Sequence, residues 1–306
     1  MKVFITGGLG FIGAHLSEYF LERGHRVIAA GRPAEQNRIR HENYLYVSAD
    51  TTQPGYWQKN LIEADAVVNL AGKSIFKRWT EGYKKQIYDS RILTTRNVVE
   101  ALQGNKNIVL CSTSAVGYYG DRGDEILNED KPPGSDFLSN LSVDWEDEAL
   151  RASTGGIRVV VMRFGIILGK GGGALSKMIP QFRFFAGGPT GSGTQWFPWM
   201  HLEDLMGAIL FSIENSKVQG PINFCAPEPI RNRDLAKILG EILGRPSFMP
   251  APAFLIRLLL GEFGSVLLGS QRTVPRNLLG YGFEFKYPDI RNALKAIIAE
   301  RTITGK

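Results

Sequence analysis

Three glycines spaced three apart, Gly7, Gly10 and Gly13, stand between an apolar run at residues 3–6 and a helical pattern that starts at Phe11. A chain that passes from strand to helix over so short a stretch has few folds open to it. Glycine is required where a Cβ would block the turn, the approach of a ligand or the packing of helix on strand. The helix N-terminus behind such a turn offers free N–H groups and the positive end of the helix dipole, which together hold a pyrophosphate. A glycine triplet alone says little; the strand before it and the helix after it give this one its meaning. The turn therefore predicts dinucleotide binding, with Gly7, Gly10, Phe11, Ile12 and Gly13 at the cofactor.

The first half of the chain repeats the strand–helix alternation. "KVFIT", "HRVIAA", "YLYVSAD", "ADAVVNLAG", "NIVLCSTSA" and "IRVVVMRFGIIL" read as six strands. Between them, "FIGAHLSEYFLERG", "YKKQIYDSRILTTRNVVEALQ" and "FLSNLSVDWEDEALRAS" read as helices. Strands that are apolar without interruption are covered on both faces. The expected fold is α/β, a Rossmann-type doubly wound parallel sheet with a smaller mixed C-terminal substrate or lid region. The expected division is a dinucleotide-binding domain over 1–170, with 200–225 returning to the sheet, and a smaller region over 171–306.

The pattern loosens after residue 169. Glycine-rich loops, "GKGGGAL" and "GGPTGSGTQ", precede "RNRDLAKILGEILG", a predicted helix with Asn232 as its cap and Leu235, Ile238, Leu239, Ile242 and Leu243 on one face. "MPAPAFLIRLLLGEFGSVLLG" is apolar but interrupted by Arg257 and Glu262. A core helix is the expectation there; a substrate lid and an interface helix fit the same residues.

Composition narrows the function classes. The chain has 306 residues, 43% of them apolar, enough for a large core. No run of about 18 uncharged apolar residues exists, so no membrane span is expected. Lys2 is the only early charge and the glycines break the apolar start, which is not the pattern of a signal peptide. Cys111 and Cys225 lack ligand-spaced partners, so reduced core thiols, no metal and a cytoplasmic location are expected. Residues 1–150 hold 17 Lys/Arg and 20 Asp/Glu, whereas residues 151–306 hold 19 and 10. A basic second half suits an anionic substrate such as a phosphorylated metabolite, and is equally compatible with an ordinary solvated surface. No basic helix carries interleaved aromatics, so nucleic acid is not an expected partner.

The dinucleotide itself can be chosen. NAD is selected by an acid at the end of the second strand, about 20 residues beyond the turn. That position reads "AAGRP". Gly31 is small and Arg32 is a cation suited to a 2′-phosphate, with Arg38 near enough in sequence to assist. NADP(H) is therefore expected over NAD; a solvated loop arginine is the other reading of Arg32. Asp50, ending the third strand, is placed to accept from the adenine amino group. Leu70, Ala71 and Gly72, ending the fourth, are placed to line the adenosine and ribose.

These residues together resemble the short-chain dehydrogenase/reductase superfamily. "TGGLGFIG" is similar to its extended branch, which includes the nucleotide-sugar epimerases. "NLAGKSIFKRWTEGYKKQIYDSRILTT", "STSAVGYYG", "RFGIILGKGGGAL", "GGPTGSGTQWFPWMHLEDL" and "VPRNLLGYGFEFKYPDIRNAL" are similar to an atypical subgroup, the epimerase family or cell-division-inhibitor-like proteins. That subgroup carries a C-terminal domain of unknown function, which falls here at about 248–300. The resemblance implies further cofactor contacts. Gln86 and Arg91 lie on the helix after "NLAG", with Arg91 at a phosphate or ribose, and the backbone at Ile166 and Ile167 meets the nicotinamide carboxamide. It also implies pairing of two copies through the helices at 83–103 and 137–150.

Typical members use a Ser or Thr with a Tyr and a Lys four apart on one helix face, and the Tyr moves a proton at the carbinol or carbonyl. This chain has Phe137 and Leu141 at those places, and none of its tyrosines has Lys four residues on. Tyr118 and Tyr287 have arginine at that spacing, and arginine stays protonated. Ser114 matches the expected serine after strand five, where it either bonds a substrate carbonyl or satisfies strand-end backbone. Tyr118 and Tyr119 are expected at the mouth of the site, and Lys73 stands where relatives often have Glu. His201, in "WFPWMHLEDL", resembles an element whose role is structural.

Two readings stay open. One is an NADP(H)-dependent oxidoreductase or epimerase acting on a small, nucleotide-sugar-like anion through Ser114, Tyr119 and Lys73. The other is a non-catalytic NADPH-binding sensor or scaffold.

Overall fold

The computed structural model describes residues 1–35, 38–105 and 107–299. Seven parallel strands form one sheet: β1 (Lys2–Thr6), β2 (Arg26–Gly31), β3 (Tyr44–Ser48), β4 (Ala66–Asn69), β5 (Val109–Ala115), β6 (Arg158–Phe164) and β7 (Gly220–Phe224). Their spatial order is β7-β6-β5-β4-β1-β2-β3. Phe4 pairs with Ile28 on one side and with Val67 on the other. Chain direction across the sheet reverses between β1 and β4, the crevice where open α/β sheets bind ligands.

The strands are apolar in both parities because both faces are covered. Val3, Ile5, Val27, Val68 and Met162 lie under α1 (Phe11–Glu22), while the opposite parity, with Phe4, Ile28, Val67 and Leu110, lies under α2 (Glu81–Leu102) and α3 (Phe137–Thr154). The helix α4 (Leu202–Glu214) joins α1 on the first face through Leu205 and Ile209. Each such side chain contributes about 1.5–3 kcal/mol by leaving water. Thr80 caps α2, accepting from Tyr83 N at 3.2 Å, and Asp136 caps α3, accepting from Ser139 N at 2.8 Å. Gly10 begins α1 and supplies no capping side chain, so the first N–H groups of that helix are left for another acceptor.

Four local expectations meet a different outcome or a definite one. The sixth predicted strand breaks at Gly165. There Gly165 N donates to Phe224 O (3.0 Å) and Ile166 N to Pro198 O (2.7 Å), and the next strand, Ile166–Leu168, pairs with Trp199–His201 outside the main sheet. A Cβ at Gly165 would stand 3.0 Å from the Pro198 carbonyl oxygen, so the departure depends on glycine. Asn232 does not cap its helix. It is the first residue of α5 (Asn232–Leu243), and its Oδ1 accepts from Thr190 N at 2.7 Å, fastening the glycine-rich loop instead.

The apolar segment after residue 250 is not a core helix. It forms two short helices, α6 (Ala253–Leu260) and α7 (Glu262–Leu268), divided at Gly261, and no residue of α6 is buried. His201 is structural: its Nδ1 accepts from Glu203 N at 3.1 Å as the cap of α4, and its ring lies 4.0 Å from that of Tyr287. Burial pushes its imidazole down to about 4, so it stays neutral at pH 7. Among the described residues no helix is long and apolar enough to cross a membrane.

Candidate functional site

The glycine turn is closed by Gly10 N, which donates to Gly7 O at 2.9 Å, and Gly7 adopts φ +66°. A Cβ at Gly13 would stand 2.8 Å from Gly8 Cα and closer still to the Gly7 carbonyl oxygen. The turn is therefore held tight under the uncapped N-terminus of α1, a cradle that suits an anion and that side chains would fill. Thr6 locks the neighbouring strand ends: its hydroxyl accepts from Leu70 N (3.0 Å) and Ala71 N (3.1 Å) and donates to Asn69 Oδ1 (2.7 Å). Phe11 stands partly buried at the first turn of α1, beside Ile12. Its ring packs under the loop at 169–173, where a Cβ at Gly172 would come within 2.6 Å of Cγ. Lys170 belongs to this loop, and its Nζ is buried without a hydrogen-bond partner among the described residues.

At the end of β2, Gly31 lies beneath the Tyr46 hydroxyl, which donates to Pro33 O at 2.7 Å. Arg32 is exposed, and no acid among the described residues pairs with it. Arg38 reaches Glu18 at 3.7 Å. Asp50 is exposed and uses one oxygen to accept from Thr52 N (3.1 Å) and Thr52 Oγ1 (2.7 Å). Leu70 and Ala71 are half-buried and Gly72 is exposed beside the Arg91 guanidinium, whose Cζ would lie 3.1 Å from a Cβ at Gly72. Arg91 donates to the carbonyls of Lys73 (3.1 Å) and Ile87 (3.0 Å) and lies 5.2 Å from the Trp145 ring centroid. Burial lowers its affinity for the proton to about 10, and Tyr83 opposes that shift. Gln86 is on an exposed part of α2, and the Ile167 side chain is in the core while its backbone runs beside Met200.

The residues expected to do chemistry divide into two places. Ser114 is buried, and its Oγ donates to Glu146 Oε1 at 2.6 Å. The same carboxylate takes Arg163 Nε (2.8 Å) and Nη2 (2.7 Å). Tyr119 is not at a mouth. It is fully buried, its hydroxyl donates to Asn223 Oδ1 (2.8 Å) and accepts from Arg163 Nη1 (3.0 Å), and burial raises its phenol above the ordinary value. The placement of Tyr119 follows from Arg163: a buried cation needs both the Glu146 carboxylate and neutral acceptors around it. Both hydroxyls are spent inside the protein. Phe137, at the usual tyrosine position, meets Trp79 edge-on at 5.3 Å, and Leu141, at the usual lysine position, is buried with Trp145 and Phe263.

Lys73 is differently placed. It follows β4 at the strand ends, its N donates to Ser90 Oγ (2.9 Å), and its Nζ lies 5.4 Å from the Tyr83 ring centroid. The Tyr83 hydroxyl donates to Ser74 O at 2.6 Å. The loop thus brings Lys73, Tyr83 and Arg91 together and leaves Ser114 and Tyr119 out. Tyr83 and Lys170 escape a reading based on spacing, since one is ten residues from its lysine across a loop and the other carries no partner at any fixed spacing. Among the described residues no His, Cys, Asp or Glu cluster suits a metal ion.

A parallel sheet with a tight glycine turn at its switch point, and with no Tyr–Lys pair on α3, defines a short-chain dehydrogenase/reductase-like protein with a divergent catalytic region. Comparison with known proteins agrees. The NAD dependent epimerase/dehydratase family matches residues 3–225, and a domain of unknown function, DUF1731, matches 251–297. The chain belongs to this epimerase/dehydratase family. It is 38% identical over 302 residues to the chloroplastic epimerase family protein SDR39U1 homolog of Arabidopsis thaliana, covering 97% of this chain and 87% of that one. It is 37% identical to the epimerase family protein YfhF of Bacillus subtilis, covering 98% and 99%. A crystal structure of the human epimerase family protein SDR39U1 with NADPH superposes with a TM-score of 0.86 at 33% identity, over 97% of this chain and 99% of that one.

Proposed function

We propose that this chain binds NADP(H) in the cytoplasm and carries out oxidoreductase or epimerase chemistry on a small anionic metabolite without a Ser-Tyr-Lys set. The observation that carries this is the tight glycine cradle under an uncapped α1, with Gly31 and an exposed, acid-free Arg32 where an NAD-selecting acid would stand. The related human protein crystallised with NADPH supports the same cofactor.

In this reading the turn at 7–13 holds the pyrophosphate, with Phe11 and Ile12 in the first turn, and Arg32 holds the 2′-phosphate. Asp50 takes the adenine amino group with its free oxygen. Leu70, Ala71 and Gly72 line the ribose, and Gln86, Arg91 and the Ile167 backbone complete the site. Bound NADPH supplies a hydride at nicotinamide C4. Lys73, beside Tyr83, orients the substrate and handles its proton, and the Lys73–Arg91 side of the cleft favours a negatively charged group. Pairing of two copies through α2 and α3 belongs to the same reading.

One observation favours the alternative of a sensor or scaffold: Phe137, Trp79 and Phe263 pack together where the Tyr and Lys of relatives would work. Incubation with C4-deuterated NADPH and a small-metabolite extract separates the two. Label is expected in a product, with Lys73→Ala and Tyr83→Phe each slowing its formation by about tenfold or more. Because an epimerase first takes a hydride from its substrate and then returns it, parallel mixtures with NADP+ in place of NADPH are searched for interconverted stereoisomers. NADPH binding with neither outcome would establish the sensor reading.

A further inference from the structure

The helix α6 presents an apolar face with nothing on it. Phe254, Leu258 and Leu259 are each 68% exposed. The face continues onto Phe248 at 76% and Phe184 at 82%, and onto Phe185, which is also exposed. The continuity is structural: Met249 N donates to Gly187 O (3.3 Å), Ala251 N to Pro189 O (2.9 Å), and the Arg245 guanidinium lies 4.8 Å from the Phe185 ring centroid. Folded proteins rarely expose so many large apolar side chains in one place unless the patch binds something.

The charges around the patch choose the occupant. Residues 175–200 contain Lys177 and Arg183 and no Asp or Glu, and residues 244–261 contain Arg245 and Arg257 and no Asp or Glu. The nearest acid beyond them in the chain, Glu262, is bound to Lys84. A second copy meeting this face by a two-fold axis would set these cations against themselves with no acid in either segment to pair them. Closure over the Lys73 region is also not its role, because α7 already makes that contact through Phe263, against Trp79 and Phe76. Apolar side chains interleaved with cations match one kind of surface, the headgroup boundary of a membrane that carries anionic lipid.

We propose that α6 and the adjoining 183–191 and 245–249 segments dock this protein onto an anionic lipid bilayer. The eight residues of α6 lie along the surface with Phe254, Leu258 and Leu259 sunk below the headgroups and Arg257, Arg245 and Arg183 at the phosphates. The attachment is peripheral and reversible, and it weakens as salt screens the arginines.

Sedimentation of the full chain with vesicles tests this. The protein is expected to sediment with vesicles of equal parts phosphatidylcholine and phosphatidylglycerol, to stay in solution with phosphatidylcholine alone, and to be released as salt rises. The double variant Leu258→Glu/Leu259→Glu is expected to bind about tenfold or more weakly. Both side chains are exposed, so its unfolding temperature is expected to match that of the parent. Failure to sediment with anionic vesicles would overturn the proposal. So would binding that the double variant leaves intact, or a dimer in light scattering that the double variant separates without any vesicle binding by the parent.

Discussion

Replacing Gly13 by alanine is expected to lower NADPH affinity by about a hundredfold or more, roughly 3 kcal/mol. The new Cβ would meet Gly8 Cα at 2.8 Å and the Gly7 carbonyl oxygen more closely still. Both are backbone atoms of the turn, so no rotamer change relieves the contact. Either α1 moves off β1 or the turn opens, and each removes N–H groups from the phosphate position. Crowding of this kind costs about 1–3 kcal/mol in stability as well. Gly82→Ala is the control: it lies on exposed α2 with nothing within 4 Å of its Cβ, and it is expected to keep the affinity and the stability. Titration calorimetry and thermal unfolding of both variants check the result. A Gly13→Ala protein with parental affinity would remove the turn from the binding site.

Replacing Glu146 by alanine is expected to be the more damaging change to the fold, by about 3–5 kcal/mol. Arg163 is 2% exposed and its guanidinium takes both carboxylate oxygens, at 2.8 and 2.7 Å. Without Glu146 the buried Arg163 keeps the Tyr119 hydroxyl, a long contact to Glu129 O (3.5 Å) and the Tyr118 ring face, 3.5 Å from its Cζ, but loses the carboxylate that takes two of its N–H groups, and the Ser114 hydroxyl loses its acceptor. The expected fall in unfolding temperature of a chain this long is roughly 5–8 °C. Ser114→Ala, which deletes one bond to that carboxylate, costs about 1.5–3 kcal/mol and leaves NADPH affinity unchanged. Tyr119→Phe behaves likewise. A Ser114→Ala protein of full stability that had lost all product formation would return Ser114 to the chemistry.

What could be read before folding follows from how local each signal is. The glycine turn, the strand at 2–6 and the helix that follows are contiguous, and the apolar strand runs carry their burial in their own composition, so the parallel sheet was legible. The break at Gly165 was not, because it is caused by Pro198 and Phe224, far along the chain. Tyr119 illustrates the same limit: its neighbour Ser114 suggested an open site, yet Arg163 and Asn223 decide that its hydroxyl is enclosed. Lys73 was legible as an unusual residue, but its company with Tyr83 and Arg91 exists only once the loop after β4 lies against α2. The segment at 250–270 has the composition of a core helix; what leaves α6 outside is that only its last residue, Leu260, reaches the Trp79 cluster, which α7 enters with the buried Phe263.

In the proposed site Arg32 holds the 2′-phosphate and so sets the preference for NADP(H) over NAD(H). Titration of the parent and of Arg32→Ala with NADPH and with NADH tests it most directly. The parent is expected to bind NADPH at least about tenfold more tightly than NADH, and Arg32→Ala to lose most of that preference while still binding NADH, because only the 2′-phosphate contact is removed. Equal affinity of the parent for both nucleotides, or a preference that survives in Arg32→Ala, would contradict it.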